Sequence, residues 1–224
     1  MDKITRRIIV FNMTKRIKKT KKIKKTKKKS KSNLKKLSAL AIVFVIIAIT
    51  TLVGLYLYRL SMELQYPLPH YDIVNKYAKK YDVLAPLIYA IIKAESNFIP
   101  DVKSSKGAIG LMQVTPETGL WIAGKMNLKD YDEQKLINAD TNIEFGCWYI
   151  NWMRTLDGLN YGENMDVIIA AYNCGHNKVT QWLNNVDYSK DGKKLDVIPY
   201  EETRSYVEKV NKYYSIYKEK LKKN

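Results

Sequence analysis

Hydrophobic residues follow two different patterns along this chain of 224 residues. Residues 37–58, LSALAIVFVIIAITTLVGLYLY, form an apolar run without a single charge. From residue 73 onward, apolar residues instead recur at steps of three and four with polar residues between them, which is the period of an amphipathic helix. The first pattern predicts one wholly apolar helix, and the second predicts a domain built from several amphipathic helices.

The start of the predicted domain carries clear helix signals. Ile73, Val74 and Tyr77 begin one helix, and Pro86 stands in the first turn of a strongly apolar one, LIYAIIKAE. The pair at 115–116, Thr-Pro, is typical of an N-cap followed by proline at the first helical position. These signals predict three helices, the last of which contains TGLWIAGKM.

Three more helices are predicted from apolar spacing in the second half of the chain. The residues that share a face are Ile143, Cys147 and Ile150 within 142–156, then Val167, Ala171 and Cys174 within 166–174, and finally Tyr206, Val210, Tyr213 and Tyr217. Alternating β-branched runs do not occur. We therefore predict that residues 73–224 form an all-α domain with one irregular segment at 97–113.

The apolar run is long enough to cross a membrane. As a helix its 22 residues would span about 33 Å, against about 30 Å for a hydrocarbon core. A buried core helix is the alternative, but residues 1–36 hold 17 of the 39 basic side chains and a single acid, Asp2. A like-charge block such as KRIKKTKKIKKTKKKSK at 15–31 predicts disorder. The sequence thus predicts a disordered polybasic tail (1–36), a transmembrane helix (37–58) and a juxtamembrane linker (59–72) stiffened by Pro67 and Pro69.

Charge also predicts the orientation. Lys and Arg resist translocation, so the tail should stay in the cytoplasm and the domain should lie outside the cell membrane. A cleaved signal peptide is the alternative, although the apolar run is longer than usual and no A-x-A-like site follows it. The tail is expected to meet anionic lipid, with nucleic-acid binding by the tail as a second interpretation. The rest of the chain is nearly neutral, which argues against a basic nucleic-acid-binding domain.

Glu95 is the candidate catalytic residue. It ends the predicted apolar helix just before the irregular segment, where partial burial would favour the neutral carboxyl and raise its pKa. Such a group can act as a general acid near neutral pH. A solvated helix-end glutamate is the alternative reading of this residue taken alone.

Four sequence blocks resemble the SLT domain of lytic transglycosylases, in the same order. They are ES at 95–96 with Ser104 nine residues after the glutamate, GAIGLMQ at 107–113, AAYNCG at 170–175 and IPYEETRSYVEKV at 198–210. The resemblance implies a lysozyme-like helical fold, related to goose-type lysozymes, that acts on peptidoglycan glycan strands. Cys174 stands where alanine is commoner in that family.

The resemblance also implies a reaction that needs one carboxyl group. A single glutamate, Glu95 here, would protonate the leaving oxygen and then take a proton from the muramic C6 hydroxyl, closing a 1,6-anhydro ring. Most glycoside hydrolases use two carboxylates instead. A lysozyme-type hydrolase of the same fold is one alternative, and a non-catalytic scaffold that binds cell wall is another.

Further site residues follow from the resemblance. The residues implied to bind substrate are Ser104, Met112, Gln113, Tyr172, Asn173 and Glu202. For Met112 the alternative is a side chain that fills the core, and for Glu202 it is an ion pair with Arg204 or another basic residue. Phe98, Trp121 and Tyr200 either stack on sugars or fill the core, and Gly107 and Gly110 are expected to permit loop conformations closed to other residues.

No metal or other cofactor is predicted. Only two histidines occur, and neither belongs to an HExxH motif. Cys147 and Cys174 form either a disulfide or two packed thiols.

Overall fold

The computed structural model describes residues 2–155 and 161–222, and within these ranges it contains helices and turns but no β-strand. The all-α class is confirmed. The helices are α1 (Lys3–Gln65), α2 (Tyr71–Lys80), α3 (Ala85–Glu95), α4 (Pro116–Lys125), α5 (Ala139–Arg154), α6 (Met165–Cys174), α7 (His176–Leu183) and α8 (Glu201–Leu221), with a 3-10 turn at Glu133–Ile137. The last residue of the helix predicted over 142–156 lies outside the described residues.

The chain divides into two units, residues 1–65 and residues 66–224. The first unit is the helix α1. Its part Met13–Gln65 includes a stretch long and apolar enough to cross a membrane, and none of that stretch is buried within the protein. A helix with apolar side chains exposed on every side is what lipid, rather than water, would solvate.

Both ends of this apolar helix differ from the sequence prediction. The tail at 15–31 is helical, whereas its charge predicts disorder. Lysine has a good intrinsic helix propensity, and extending an existing helix needs no new nucleus. The predicted linker 59–72 is also helical as far as Gln65. The helix ends there because a residue that precedes proline, here Tyr66 before Pro67, disfavours the α conformation.

Helix α3 lies at the centre of the second unit. Residues 87–92 are all buried, so this helix is covered on every side, as expected for a core helix. It packs along α8, which in turn packs against α6. Each buried isoleucine of α3 contributes about 1.5–3 kcal/mol by leaving water. The predicted helix starts are confirmed as well, since Thr115 caps α4 by accepting from the Thr118 N–H.

The cysteines are free thiols. Cys147 is buried on the inner face of α5, and Cys174 is half-buried at the end of α6. Of the two alternatives that the sequence left open, the structure has the packed thiols.

An irregular segment between α3 and α4, residues 97–115, is called here the cleft loop. It lies against the core although it has no regular ladder, and one buried amide supplies the missing partners. Asn142 of α5 accepts from the Met112 N–H at 2.7 Å and donates to the carbonyls of Ile109 (2.9 Å) and Leu136 (2.8 Å). The loop approaches this amide so closely that a Cβ at Gly110, where φ is 83°, would lie 2.4 Å from Asn142 Nδ2. The prediction that Gly110 adopts a conformation closed to other residues is confirmed.

Replacing Asn142 by alanine should therefore destabilise the second unit. The change leaves two buried backbone groups without a partner, the Met112 N–H and the Leu136 carbonyl, whereas the Ile109 carbonyl still accepts from the Val114 N–H. At about 1–3 kcal/mol for each group left unpaired, we expect a loss of at least about 2 kcal/mol in the free energy of unfolding. Urea unfolding followed by tryptophan fluorescence measures it, because all four tryptophans lie in the second unit.

Asn151→Ala is the matched control. Asn151 lies on the same helix but is only half-buried, and its exchange should change stability by no more than about 0.5 kcal/mol. Equal losses in the two variants would contradict the role given to Asn142.

Candidate active site

Glu95 is the last residue of α3, at the point where the chain reverses into the cleft loop. Asn97 and Phe98 both have positive φ, 49° and 67°. Ser96 fixes this reversal, because its hydroxyl lies 2.8 Å from the Leu111 carbonyl and accepts from the Phe98 N–H. The Glu95 carboxyl is thereby held at the edge of the core, as the sequence predicts.

Three physical effects act on the Glu95 carboxyl. Burial raises its pKa above the ordinary value, and this effect is the largest. Tyr206 of α8 donates a hydrogen bond to Glu95 Oε1 at 2.5 Å, and the ammonium of Lys209 lies one turn further along α8; both of these lower the pKa. The net result is a raised pKa, so the neutral carboxyl persists to a higher pH than in an exposed glutamate.

Tyr206 is a site residue that the sequence reasoning missed. It belongs to the block IPYEETRSYVEKV, but the helical spacing of α8 marks it only as a core residue, and it is indeed buried. Its pKa is raised by burial and by the nearby Glu95 charge, so the phenol keeps its proton and remains a donor. A buried tyrosine needs a partner for its hydroxyl, which is the signal that could have identified it.

The cleft loop supplies two of the predicted site residues. Ser104 accepts from the Ala108 N–H through its hydroxyl oxygen at 3.0 Å. Gln113 has a φ of 51°, and its side-chain NH₂ donates to the carbonyls of Val102 (3.1 Å) and Gly110 (2.9 Å). These bonds fix both side chains in the loop and use the donors of Gln113, which keeps its amide oxygen as the acceptor.

Helix α6 supplies two more of the predicted site residues, Tyr172 and Asn173. The Tyr172 hydroxyl donates to the Met112 carbonyl at 2.8 Å, and burial raises the pKa of this phenol well above its usual value. Asn173 Oδ1 accepts from the hydroxyl of Thr203 on α8 at 2.9 Å. Tyr172 therefore supports the cleft loop rather than contacting the Glu95 carboxyl directly, and Asn173 joins α6 to α8.

These side chains line one cleft with a volume of about 470 Å³. The cleft brings together six of the seven residues predicted for the site: Glu95, Ser104, Gln113, Tyr172, Asn173 and Glu202. Tyr149 of α5 lines it too. The sequence did not single out Tyr149, whose hydroxyl lies 3.0 Å from His176 Nδ1. The roles of all these residues toward a substrate stay predictions.

Met112 is the one predicted site residue that does not line the cleft. Its side chain is fully buried, and it packs against α5 so tightly that a Cβ at Gly146 would lie 2.3 Å from its sulfur. The side chain therefore fills the core, which is the alternative that the sequence left open for Met112. Met112 serves the site through its backbone, which binds Asn142 and Tyr172.

Glu202 lies at the mouth of the cleft rather than inside it. It is exposed in the first turn of α8, and its carboxylate lies 3.8 Å from the ammonium of Lys106. The alternative of an ion pair with a basic residue, which the sequence left open, is the one observed. That partner is Lys106 and not Arg204.

The three candidate stacking residues do not line the cleft. Phe98 packs on Tyr89 and Tyr217, and Trp121 packs on neighbouring aromatic rings of α5. Tyr200 packs edge-on against Trp182. For metals, the described residues contain no group of three or more His, Cys, Asp or Glu side chains close enough to hold an ion.

Comparison with known proteins identifies the class to which this fold and cleft belong. The transglycosylase SLT domain family matches residues 72–195, more than half of the chain. The chain therefore belongs to the transglycosylase SLT-domain family, and the resemblance noted in the sequence is confirmed.

Individual relatives agree with this assignment. Soluble lytic murein transglycosylase of Salmonella typhimurium is 33% identical over 159 residues, covering 70% of this chain and 24% of the relative. Membrane-bound lytic murein transglycosylase C of Haemophilus ducreyi is 32% identical over 158 residues, covering 62% of this chain and 43% of the relative. This chain thus spans about a quarter to under half of the length of these relatives.

Solved structures show the same fold. An inactive glutamate-to-glutamine mutant of the lytic transglycosylase Slt from Pseudomonas aeruginosa matches with 31% identity and a TM-score of 0.61, over 72% of this chain and 26% of that one. The soluble lytic transglycosylase SLT70 of Escherichia coli matches with 29% identity and a TM-score of 0.62, over 71% of this chain and 26% of that one.

Tyr206→Phe should raise the pKa of Glu95 further. The change removes the hydrogen bond that lowers this pKa and keeps the ring that buries the carboxyl. Because the folded pKa lies above the unfolded value, Glu95 costs stability as pH rises from the unfolded pKa through the folded pKa, and the variant extends that loss to higher pH. Carboxyl ¹³C NMR titration of the glutamate-labelled chain measures the shift.

Tyr213→Phe is the control for this measurement, because Tyr213 lies two turns along α8 beside Tyr66. Tyr213→Phe should leave the pKa of Glu95 unchanged. If Tyr206→Phe lowered the pKa, or left it unchanged, the effect assigned to the hydrogen bond would be wrong.

Proposed function

We propose that this protein is a membrane-anchored peptidoglycan lytic transglycosylase that cleaves the β-1,4 bond between N-acetylmuramic acid and N-acetylglucosamine. The observation that carries the proposal is the Glu95 carboxyl, which lines the cleft with a pKa raised by burial and with Tyr206 as its donor. The relatives are named lytic murein transglycosylases. The Pseudomonas aeruginosa relative is inactive as a glutamate-to-glutamine mutant, which supports dependence on one carboxyl.

In the first step Glu95 acts as a general acid. Tyr206 donates to Oε1, which leaves Oε2 to carry the proton that is transferred. The proton passes to the glycosidic oxygen, the bond from that oxygen to muramic C1 breaks, and positive charge develops on the sugar ring. Burial raises the pKa of Glu95, so the neutral carboxyl that this step requires persists to a higher pH than in an exposed glutamate.

In the second step the same carboxylate acts as a base. It takes the proton of the muramic C6 hydroxyl while that oxygen bonds to C1, which closes a 1,6-anhydro ring and consumes no water. The attack is intramolecular, so the entropy of capturing a second reactant is largely spared. Tyr206 and Lys209 both favour the carboxylate, so that Glu95 can reach both protonation states during one turnover.

The other cleft residues bind the sugars in this proposal. Ser104 and Gln113 lie on the loop side of the cleft and Asn173 on the helix side, where they can bond N-acetyl groups and hydroxyls. The cleft volume of about 470 Å³ falls within the ordinary range for binding sites of about 300–1,000 Å³. Tyr172 keeps the loop in place and forms part of the wall.

A lysozyme-type hydrolase is the second candidate, because Glu202 is another carboxylate that lines the cleft. A hydrolase would use it to activate water. Its exposure and its ion pair with Lys106 argue against that role, since a catalytic base usually gains from burial or from an orienting hydrogen bond. A scaffold that only binds cell wall would need no raised pKa at Glu95.

Product masses test the proposal. Digestion of purified sacculi by the full-length chain in detergent should release muropeptides with 1,6-anhydro ends, one water lighter than reducing ends. Glu95→Gln should lower the rate at least about 100-fold, since the amide cannot give up a proton. Mass spectrometry of the released fragments gives both readings.

Glu117→Gln, an exposed residue at the start of α4, is the control and should keep full activity. Reducing ends in place of anhydro ends would indicate a hydrolase. Strand binding without any products would indicate a scaffold, and unchanged output from Glu95→Gln would overturn the one-carboxyl mechanism.

The anchor is proposed from α1. Its apolar stretch would cross the membrane once, with the basic tail in the cytoplasm and residues 66–224 outside. Each basic residue close to an anionic leaflet adds about 1 kcal/mol to binding. Membrane-bound relatives support association with a membrane.

Protease added to intact spheroplasts tests this topology. It should digest residues 66–224 while an epitope tag placed before the tail survives in the membrane fraction. A digested tag together with protected residues 66–224 would show the reverse orientation. A mature protein that begins after residue 58 would show cleavage of a signal peptide.

A further inference from the structure

Two opposite charges meet at the mouth of the cleft. Lys106 lies in the cleft loop and Glu202 in the first turn of α8, and their Nζ and Oε1 atoms are 3.8 Å apart. Both side chains line the cleft, yet they are 82% and 78% exposed. Among the described residues that line it, Lys106 is the one basic side chain.

The backbone beneath Lys106 is fixed although its side chain is free to move. The Ser104 N–H donates to the Ala108 carbonyl at 2.9 Å, and the Gly107 N–H donates to the Ser104 carbonyl at 2.9 Å. Gly107 adopts a φ of 81°, which glycine tolerates without strain, as the sequence predicts. The ammonium of Lys106 therefore lies at the end of a flexible side chain, on a turn whose backbone is fixed by hydrogen bonds.

The ion pair between Lys106 and Glu202 is easily exchanged. Exposed pairs contribute about 0–1 kcal/mol and are screened by salt. Glu202 also lies in the first turn of α8, where the helix N-terminus stabilises a negative charge without Lys106. Another carboxylate can thus replace Glu202 at little cost.

We propose that Lys106 binds a carboxylate of the muramyl unit and so determines which glycan strands the cleft prefers, with Glu202 as the competing carboxylate. The inference rests on the proposed action on peptidoglycan. A muramyl unit carries a carboxylate either on its stem peptide or, when the peptide is removed, on its lactyl group, whereas N-acetylglucosamine carries none. Lys106 would distinguish muramyl-containing strands from neutral ones by this charge.

Binding measurements on the full-length chain in detergent test the assignment. Glu95→Gln serves as background to prevent turnover, and Lys106→Met removes the charge while keeping the stem. The probes are peptide-bearing and peptide-free glycan fragments, each with free and with amidated carboxylates. At low ionic strength we expect Lys106→Met to lower the affinity ratio of free over amidated fragments about threefold to fivefold.

Two further variants sharpen the result. Lys103→Met is the matched control, because Lys103 is exposed on the same loop but does not line the cleft, and it should leave the ratio unchanged. Glu202→Gln removes the competing carboxylate and should raise the ratio. High salt should shrink all of these differences.

The outcomes separate this inference from the proposed function. An effect confined to peptide-bearing or to peptide-free fragments supports the inference and identifies the source of the carboxylate. The inference is overturned if Lys106→Met leaves the affinity ratio unchanged, or if its effect on affinity persists with amidated fragments or at high salt. In that case the proposed function still stands, provided that the wild-type chain forms anhydro products. Absence of those products would overturn the proposed function and this inference with it.

Discussion

The structure depends on satisfying the backbone of an irregular loop that lies against the core. A buried peptide group without a partner costs free energy, and residues 97–115 have no helix or sheet to provide one. Hydrogen bonds between the loop's own backbone groups satisfy part of this backbone, and buried side chains from outside the loop satisfy further groups. Ser96 bonds to Leu111 and Tyr172 to Met112, while Asn142 bonds to two loop residues at once. Three helices thereby hold the loop, which forms one wall of the cleft.

The carboxyl of Glu95 depends in turn on that arrangement. Its helix ends where the loop begins, so the group is buried enough to favour the neutral form, yet Tyr206 and Lys209 on α8 favour the charged form. In the proposed mechanism Glu95 acts first as an acid and then as a base, and such opposed influences keep both of its protonation states accessible. The helix α8 therefore affects the pKa of Glu95 as well as filling the core.

The charged side chains at the mouth of the cleft and the carboxyl inside it differ in their exposure to solvent. Lys106 and Glu202 are solvated, so their attraction is weak and exchangeable. Glu95 is buried, so a single hydrogen bond affects its pKa. The cleft thus combines an interior fixed by hydrogen bonds with exposed charged residues at its mouth.

The sequence by itself predicted α2 to α6, α8 and the apolar segment of α1, together with the N-cap at Thr115 and six cleft residues, because periodicity, capping and motif order are local properties of the chain. It did not predict α7. The roles of Tyr206 and Asn142 were not predicted from the sequence, since their hydrogen-bond partners lie far away in the chain. Met112 was assigned to substrate because its motif position says nothing of which way the side chain packs. Only the tertiary structure decided these points, because burial and hydrogen-bond partners exist only once distant segments meet.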